Sequence, residues 1–182
     1  MKRILIFCAF LLLFQCSDEF PLLKNHNVFM ENVLSNESGF FYLDTAESRD
    51  KKILPIGIFD SGIGGLSVFD AIINADNFND ENREIIDGIK DFSNENFVYL
   101  ADQANMPYSN YAEAGKKDLL EEHILKDAIF LLNDRYHLSS STPEIQNTKP
   151  AVKTIVIACN TATAYGKQHI EEMLKMANID MK

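Results

Sequence analysis

The chain has 182 residues, 46% of them hydrophobic and 24% charged, and a formal net charge of −10. That length holds one domain with a real core, or one and a fraction. The acidic balance and the lack of any long Lys/Arg cluster exclude a nucleic-acid surface and point to no anionic polymer as partner.

Residues 1–15 read as a signal segment. Lys2 and Arg3 precede an apolar run from Ile4 to Phe14 that is too short to span a bilayer but suits the core of a secretory signal. Leu13-Phe14-Gln15-Cys16 resembles a bacterial lipoprotein cleavage box, although Gln15 stands where a small residue is usual. The resemblance implies that Cys16 is lipidated and becomes the first mature residue. It also implies an exported protein, anchored to the membrane at the cell envelope on the periplasmic side. The alternative is an uncleaved apolar helix acting as a simple anchor. Residues 16–52 are rich in Asn, Glu and Ser and read as a tether, with one edge strand at Phe40 to Leu43. With Cys8 and Cys16 in or beside the signal, Cys159 is the remaining cysteine, so no internal disulfide is expected.

The folded unit is expected over 53–182. An uncharged strand over 53–59 leads into Asp60-Ser61-Gly62-Ile63-Gly64-Gly65, and a helix over 66–73 follows. The amides that open such a helix are free donors at a positive dipole end, suited to an anion. Residues 74–96 form a surface excursion carrying one short helix. A second strand over 97–101 ends in the loop from Asp102 to Ser109, fixed in part by Pro107. A long helix spans 112–133, its apolar residues Leu119, Leu120, Ile124, Ala128, Leu131 and Leu132 recurring at helical spacing. Residues 138–150 are a loop rich in Ser, Thr, Pro and Asn. A β-branched strand over 154–158 ends in Cys159-Asn160-Thr161, and a helix over 162–177 follows. Alternating strands and helices predict an α/β fold, a parallel sheet with flanking helices. A fourth strand is expected where the sequence stops.

The three polar groups all follow the carboxyl ends of strands, the edge where open parallel sheets bind ligands. Other readings of the glycines fail on single letters. Gly57 and Gly62 have the spacing of a phosphate-binding loop, but Ile63 stands where its Lys belongs. A dinucleotide fingerprint wants Gly where Ser67 stands. A hydrolase elbow needs Gly two residues before Ser61, where Phe59 stands. Phe59-Asp60-Ser61 faintly resembles the Gly-Asp-Ser block of lipase-like (SGNH-type) esterases, and Asp134-Arg135-Tyr136-His137 has their Asp-x-x-His spacing. That pair falls in mid-chain and leaves Cys159 unexplained. His26 reads as solvated, with no partner at metal-ligand spacing, and His123 as a half-buried packing residue; His169 is assigned no role, and no metal is expected. Taken alone, Cys159 reads as a small buried hydrophobe after a strand.

Three motifs together resemble the aspartate/glutamate racemase family, and glutamate racemase in particular. Ile58-Phe59-Asp60-Ser61-Gly62-Ile63-Gly64-Gly65-Leu66-Ser67-Val68 resembles its opening signature. Asp102 through Tyr108 resembles its Asp-x-x-x-x-Pro-Tyr-Gly loop, with one extra residue and Ser109 in place of Gly. Val156-Ile157-Ala158-Cys159-Asn160-Thr161-Ala162-Thr163-Ala164 resembles its first catalytic-cysteine motif. The resemblance implies one lobe of a two-lobed fold and a cofactor-independent amino-acid racemase, an isomerase that supplies peptidoglycan synthesis. Two opposed cysteines exchange the α-proton there, one as base and one as acid. Cys159 would be the first of the pair, favoured as thiolate by its helix N-terminus. Asp60 would engage the substrate ammonium and assist the transfer. Ser61, Pro107, Tyr108, Ser109, Asn160 and Thr161 would line the pocket, with glutamate as substrate. The family's second cysteine, in a Gly-Cys-Thr-His motif, has no counterpart in this chain. The acid/base pair therefore needs a C-terminal lobe or a second copy in a homodimer, and the chain alone is expected to be inactive. The alternative is a lipoprotein that binds an amino acid or a cell-wall fragment without turning it over.

Overall fold

The structure, a computed structural model, describes residues 4–7, 26–43, 52–79, 84–138 and 144–181. Its centre is a parallel sheet of four strands. These are β1 (Ile4–Phe7), β2 (Ile56–Asp60), β3 (Phe97–Ala101) and, after a small hairpin, β6 (Thr154–Ile157), in the order β1-β3-β2-β6. The helices are α1 (His26–Ser35), α2 (Leu66–Ile73), α3 (Ser109–Glu113), α4 (Lys117–Leu132) and α5 (Asn160–Met176). The α/β expectation holds, with helices on both faces of the sheet.

Alternation along the central strands sorts their side chains between two cores, as period-two geometry requires. Phe59, Val98 and Leu100 join the buried residues of α1, α4 and α5 on one face. Ile56, Ile58, Phe97, Tyr99 and Ala101 pack with Phe69 of α2 on the other. β2 and β3 are buried along their whole length, so they read as continuous apolar runs rather than alternating ones. β6 is half-buried, and among the described residues it pairs with β2 alone.

The N-terminal third departs from the sequence expectation. Residues 1–15 were expected outside the fold, yet Ile4–Phe7 lie parallel to β3 in register with Phe97 to Leu100. An apolar run of Ile, Leu and Phe suits a strand as well as a signal core, and it covers an edge that would otherwise expose a row of unpaired amides and carbonyls. The tether expected over 16–52 contains α1, whose Phe29, Met30 and Val33 are core residues. These positions fall on one helical face, which the surrounding Asn and Glu obscure in the sequence. Phe40 to Leu43 form turns and coil rather than an edge strand. They dock on the end of α4, where the Arg135 guanidinium donates to the Gly39 carbonyl at 2.7 Å and the Glu37 carbonyl at 3.1 Å. Cys8 and Cys16 lie outside the described residues.

Downstream, the expected 112–133 helix is two helices. The chain between α3 and α4 passes through Gly115 at φ +67°, a left-handed conformation that glycine adopts without steric cost and that ends a helix. The 138–150 loop is partly a hairpin, with β4 (Tyr136–His137) antiparallel to β5 (Ile145–Gln146). Among its described residues, the 74–96 excursion holds no helix. It is pinned instead by side-chain carboxylates that accept backbone amides: Asp76 from Asp87 and Gly88, and Asp91 from Asn77 and Phe78. The α4 terminus is closed by the buried Lys149 ammonium, which donates to the Asn133 carbonyl and, at 3.1 Å, to that of Pro150, as a cation at a helix C-terminus should.

Candidate active site

Beyond the end of the sheet, single backbone bonds tie the three loops together. The Asp102 amide donates to the Asp60 carbonyl at 2.9 Å, and the Ala158 amide to the Phe59 carbonyl at 2.8 Å. The turn after β2, the loop after β3 and the turn into α5 therefore start from one rigid edge.

Asp60 is the last residue of β2 and only 5% exposed. Its Oδ2 accepts the Gly65 amide at 2.8 Å, so the carboxylate closes the Gly-rich turn at the N-cap of α2. Gly65 is required by space. A Cβ there would lie 2.8 Å from the Cβ atoms of both Asp60 and Ala158 and 3.0 Å from the Tyr99 hydroxyl.

Cys159 caps the N-terminus of α5 in extended conformation. It is 7% exposed, and its Sγ accepts the Ala162 amide at 3.4 Å. Ser61 Oγ stands 3.3 Å from the same sulfur. An N–H donor and a hydroxyl thus converge on one thiol at the start of a helix. Asn160 is exposed and Thr161 half-exposed in the first turn of α5.

The loop from Asp102 to Ser109 contributes less directly than the sequence suggested. Pro107 and Ser109 are exposed, and Met106 lies over the Gly-rich turn, its Sδ 2.6 Å from where a Gly62 Cβ would stand. Tyr108, expected to line the pocket, is turned inward and is 2% exposed. Its hydroxyl sits 2.6 Å from Asp102 Oδ2 and 2.7 Å from Asp127 Oδ2. The phenol packs against Phe59 and Tyr111. Burial, reinforced by the two carboxylates, pushes the Tyr108 phenol far above its ordinary range. Burial also lowers His123 below the usual imidazole value, against the opposing pull of Asp102. Sequence reasoning missed Asp127. The signal was present: it falls three residues after Ile124 and four before Leu131, inside an otherwise apolar stripe.

The esterase geometry does not assemble. His137 is exposed on the hairpin, stacked on Phe40 at 4.6 Å, while the Ser61 hydroxyl is partnered by Cys159. Among the described residues no group of three or more His, Cys, Asp or Glu could hold a metal ion. Nor is any helix there long and apolar enough to cross a membrane.

The chain is similar to glutamate racemases. It is 28% identical to that of Deinococcus radiodurans over 136 residues, which is 75% of this chain and 34% of the relative. It is 38% identical to that of Carboxydothermus hydrogenoformans over 115 residues, 63% of this chain and 30% of the relative. Against that of Pseudomonas syringae pv. tomato it is 33% identical over 118 residues, 65% and 30% of the two chains. The matched region thus spans about a third of the length of these relatives. No family model matches, and no solved structure matches with significance.

Proposed function

We propose that this chain is a lobe of a cofactor-independent amino-acid racemase, with glutamate as substrate and Cys159 as one of two proton-transfer groups. The observation that carries the reading is the Cys159 sulfur, set at the carboxyl edge of the sheet, accepting the Ala162 amide and standing 3.3 Å from the Ser61 hydroxyl. Similarity to glutamate racemases over well over half of the chain supports the choice of substrate. An α-proton is a very weak acid, so its removal needs a base held against it and charge stabilisation of the carbanion that forms. Cys159 as thiolate takes the proton from one face. Asp60 attracts the substrate ammonium, and the exposed first turn of α5 at Asn160 and Thr161 receives the α-carboxylate on backbone and hydroxyl donors. Inversion requires a second acid on the opposite face, which a further lobe or a second copy must supply.

A lobe with a single thiol can still remove and return a proton on the same face. The test is therefore exchange in deuterium oxide, read by NMR as loss of the glutamate α-proton signal. The expected outcome is deuterium entry into one enantiomer without inversion. Replacement Cys159→Ser should slow it by at least about 100-fold, the usual scale of a general base. Binding without exchange would favour an amino-acid-binding protein built on a racemase lobe, and inversion by this chain alone would refute the need for a second acid. Covalent labelling of Ser61 by a serine-hydrolase phosphonate is the result that would revive the esterase reading. The same proposal includes export, with Cys16 as the lipidated residue.

A further inference from the structure

Beneath the Asp102–Ser109 loop lies a hydrogen-bonded cluster that the proton-transfer chemistry does not use. The Tyr108 hydroxyl oxygen is 2.6 Å from one carboxylate and 2.7 Å from another. Each oxygen–oxygen contact that short needs a hydrogen between its atoms, and a phenol supplies one. With both carboxylates ionised, one pair of bare oxygens would face each other in the core. A second proton must therefore reside on Asp102 or on Asp127.

The surroundings decide between them. Asp102 also receives the Asn105 amide, whose Nδ2 stands 3.0 Å from both of its carboxylate oxygens; these donors suit an anion. Asp127 is 2% exposed, and its hydrogen-bond neighbours are Tyr108 and Asp102. The other groups facing the cluster are Tyr111 of α3 and Glu122, His123 and Lys126 of α4. Lys126, the one cation among them, is engaged by Glu122 and lies over the Phe41 ring at 5.3 Å.

We propose that Asp127 is a positioning residue that carries a proton at neutral pH and donates it to the Tyr108 oxygen, while Tyr108 donates to Asp102. The chain Asp127–Tyr108–Asp102 then clamps the loop to α4 from below, and its release is coupled to loss of that single proton. Burial and the adjacent Asp102 carboxylate act in the same direction, holding the Asp127 carboxyl well above the usual carboxylate range. That the clamped loop borders a substrate pocket rests on the racemase reading; the clamp itself does not.

Two measurements on the full chain test it. Aspartate carboxyl carbons titrated by NMR in the wild-type protein should show Asp127 still protonated at about pH 7. A midpoint near the ordinary aspartate value of about 4, or a proton found on Asp102 instead, overturns the proposal. Hydrogen exchange of amides 103–106 and 108–111, among them those of Asn110 and Tyr111 that donate to the Pro107 and Tyr108 carbonyls, corrected for intrinsic rates, should show wild-type protection falling about tenfold per pH unit once Asp127 ionises. Asp127→Asn, a permanently neutral donor, should give a flat profile. Parallel profiles in the two proteins would sink the coupling. Neither readout involves glutamate, so failure of the clamp and failure of the racemase reading are separately visible.

Discussion

Cys159, Asp60 and Ser61 are placed by backbone events visible in the letters: a strand that ends, a turn of glycines, a helix that starts. The side chains then meet because neighbouring parallel strands end level with one another. Tyr108 was not legible in the same way, since its direction is set by an acid nineteen positions away on α4. Replacement of Gly65 by Ala forces Asp60 and Ala158 apart. We expect a loss of about 1–3 kcal/mol in denaturant unfolding, together with loss of α-proton exchange. Asp127 has a pH signature of its own. Its folded-state affinity for the proton is raised, so its contribution to stability is complete below the unfolded value of about 4 and is lost as pH rises toward its folded value. Unfolding free energy of the wild type should fall over that window, and Asp127→Asn should remove most of the slope.

Among the elements, β2, β3, β6 and α2 were readable because their patterns are long, apolar and punctuated. α1 was hidden by its polar composition. The α3–α4 break was missed because one glycine in a helical pattern does not reveal a positive φ. The α4–α5 contact depends on a different glycine. A Cβ on Gly166 would stand 2.2 Å from Ile124 Cγ2, so the two helices pack closer there than any side chain allows. Gly166→Ala should cost about 1–3 kcal/mol. Trimming the opposing residue with Ile124→Ala should recover part of that loss, giving a coupling in a double-mutant cycle that two independent lesions would not show.

At the scale of the whole molecule, the N-terminus has two exclusive fates. Cleavage before Cys16 removes β1 and leaves a mature sheet of β3, β2 and β6, whereas retention keeps Ile4–Phe7 along β3. Our proposal predicts that cells expressing the full chain incorporate labelled palmitate, that Cys16→Ser abolishes it, and that the mature mass lacks residues 1–15. An unlabelled, full-length product would overturn it. At the opposite side of the sheet, β6 pairs, among the described residues, with β2 alone and runs in the same direction as the other strands of that sheet. A parallel lattice has polarity. Any segment that lengthens it in kind, from this chain or another, must advance toward the same rim and release its next turn beside Cys159. Growth of the sheet and enclosure of the thiol would then be a single geometric event.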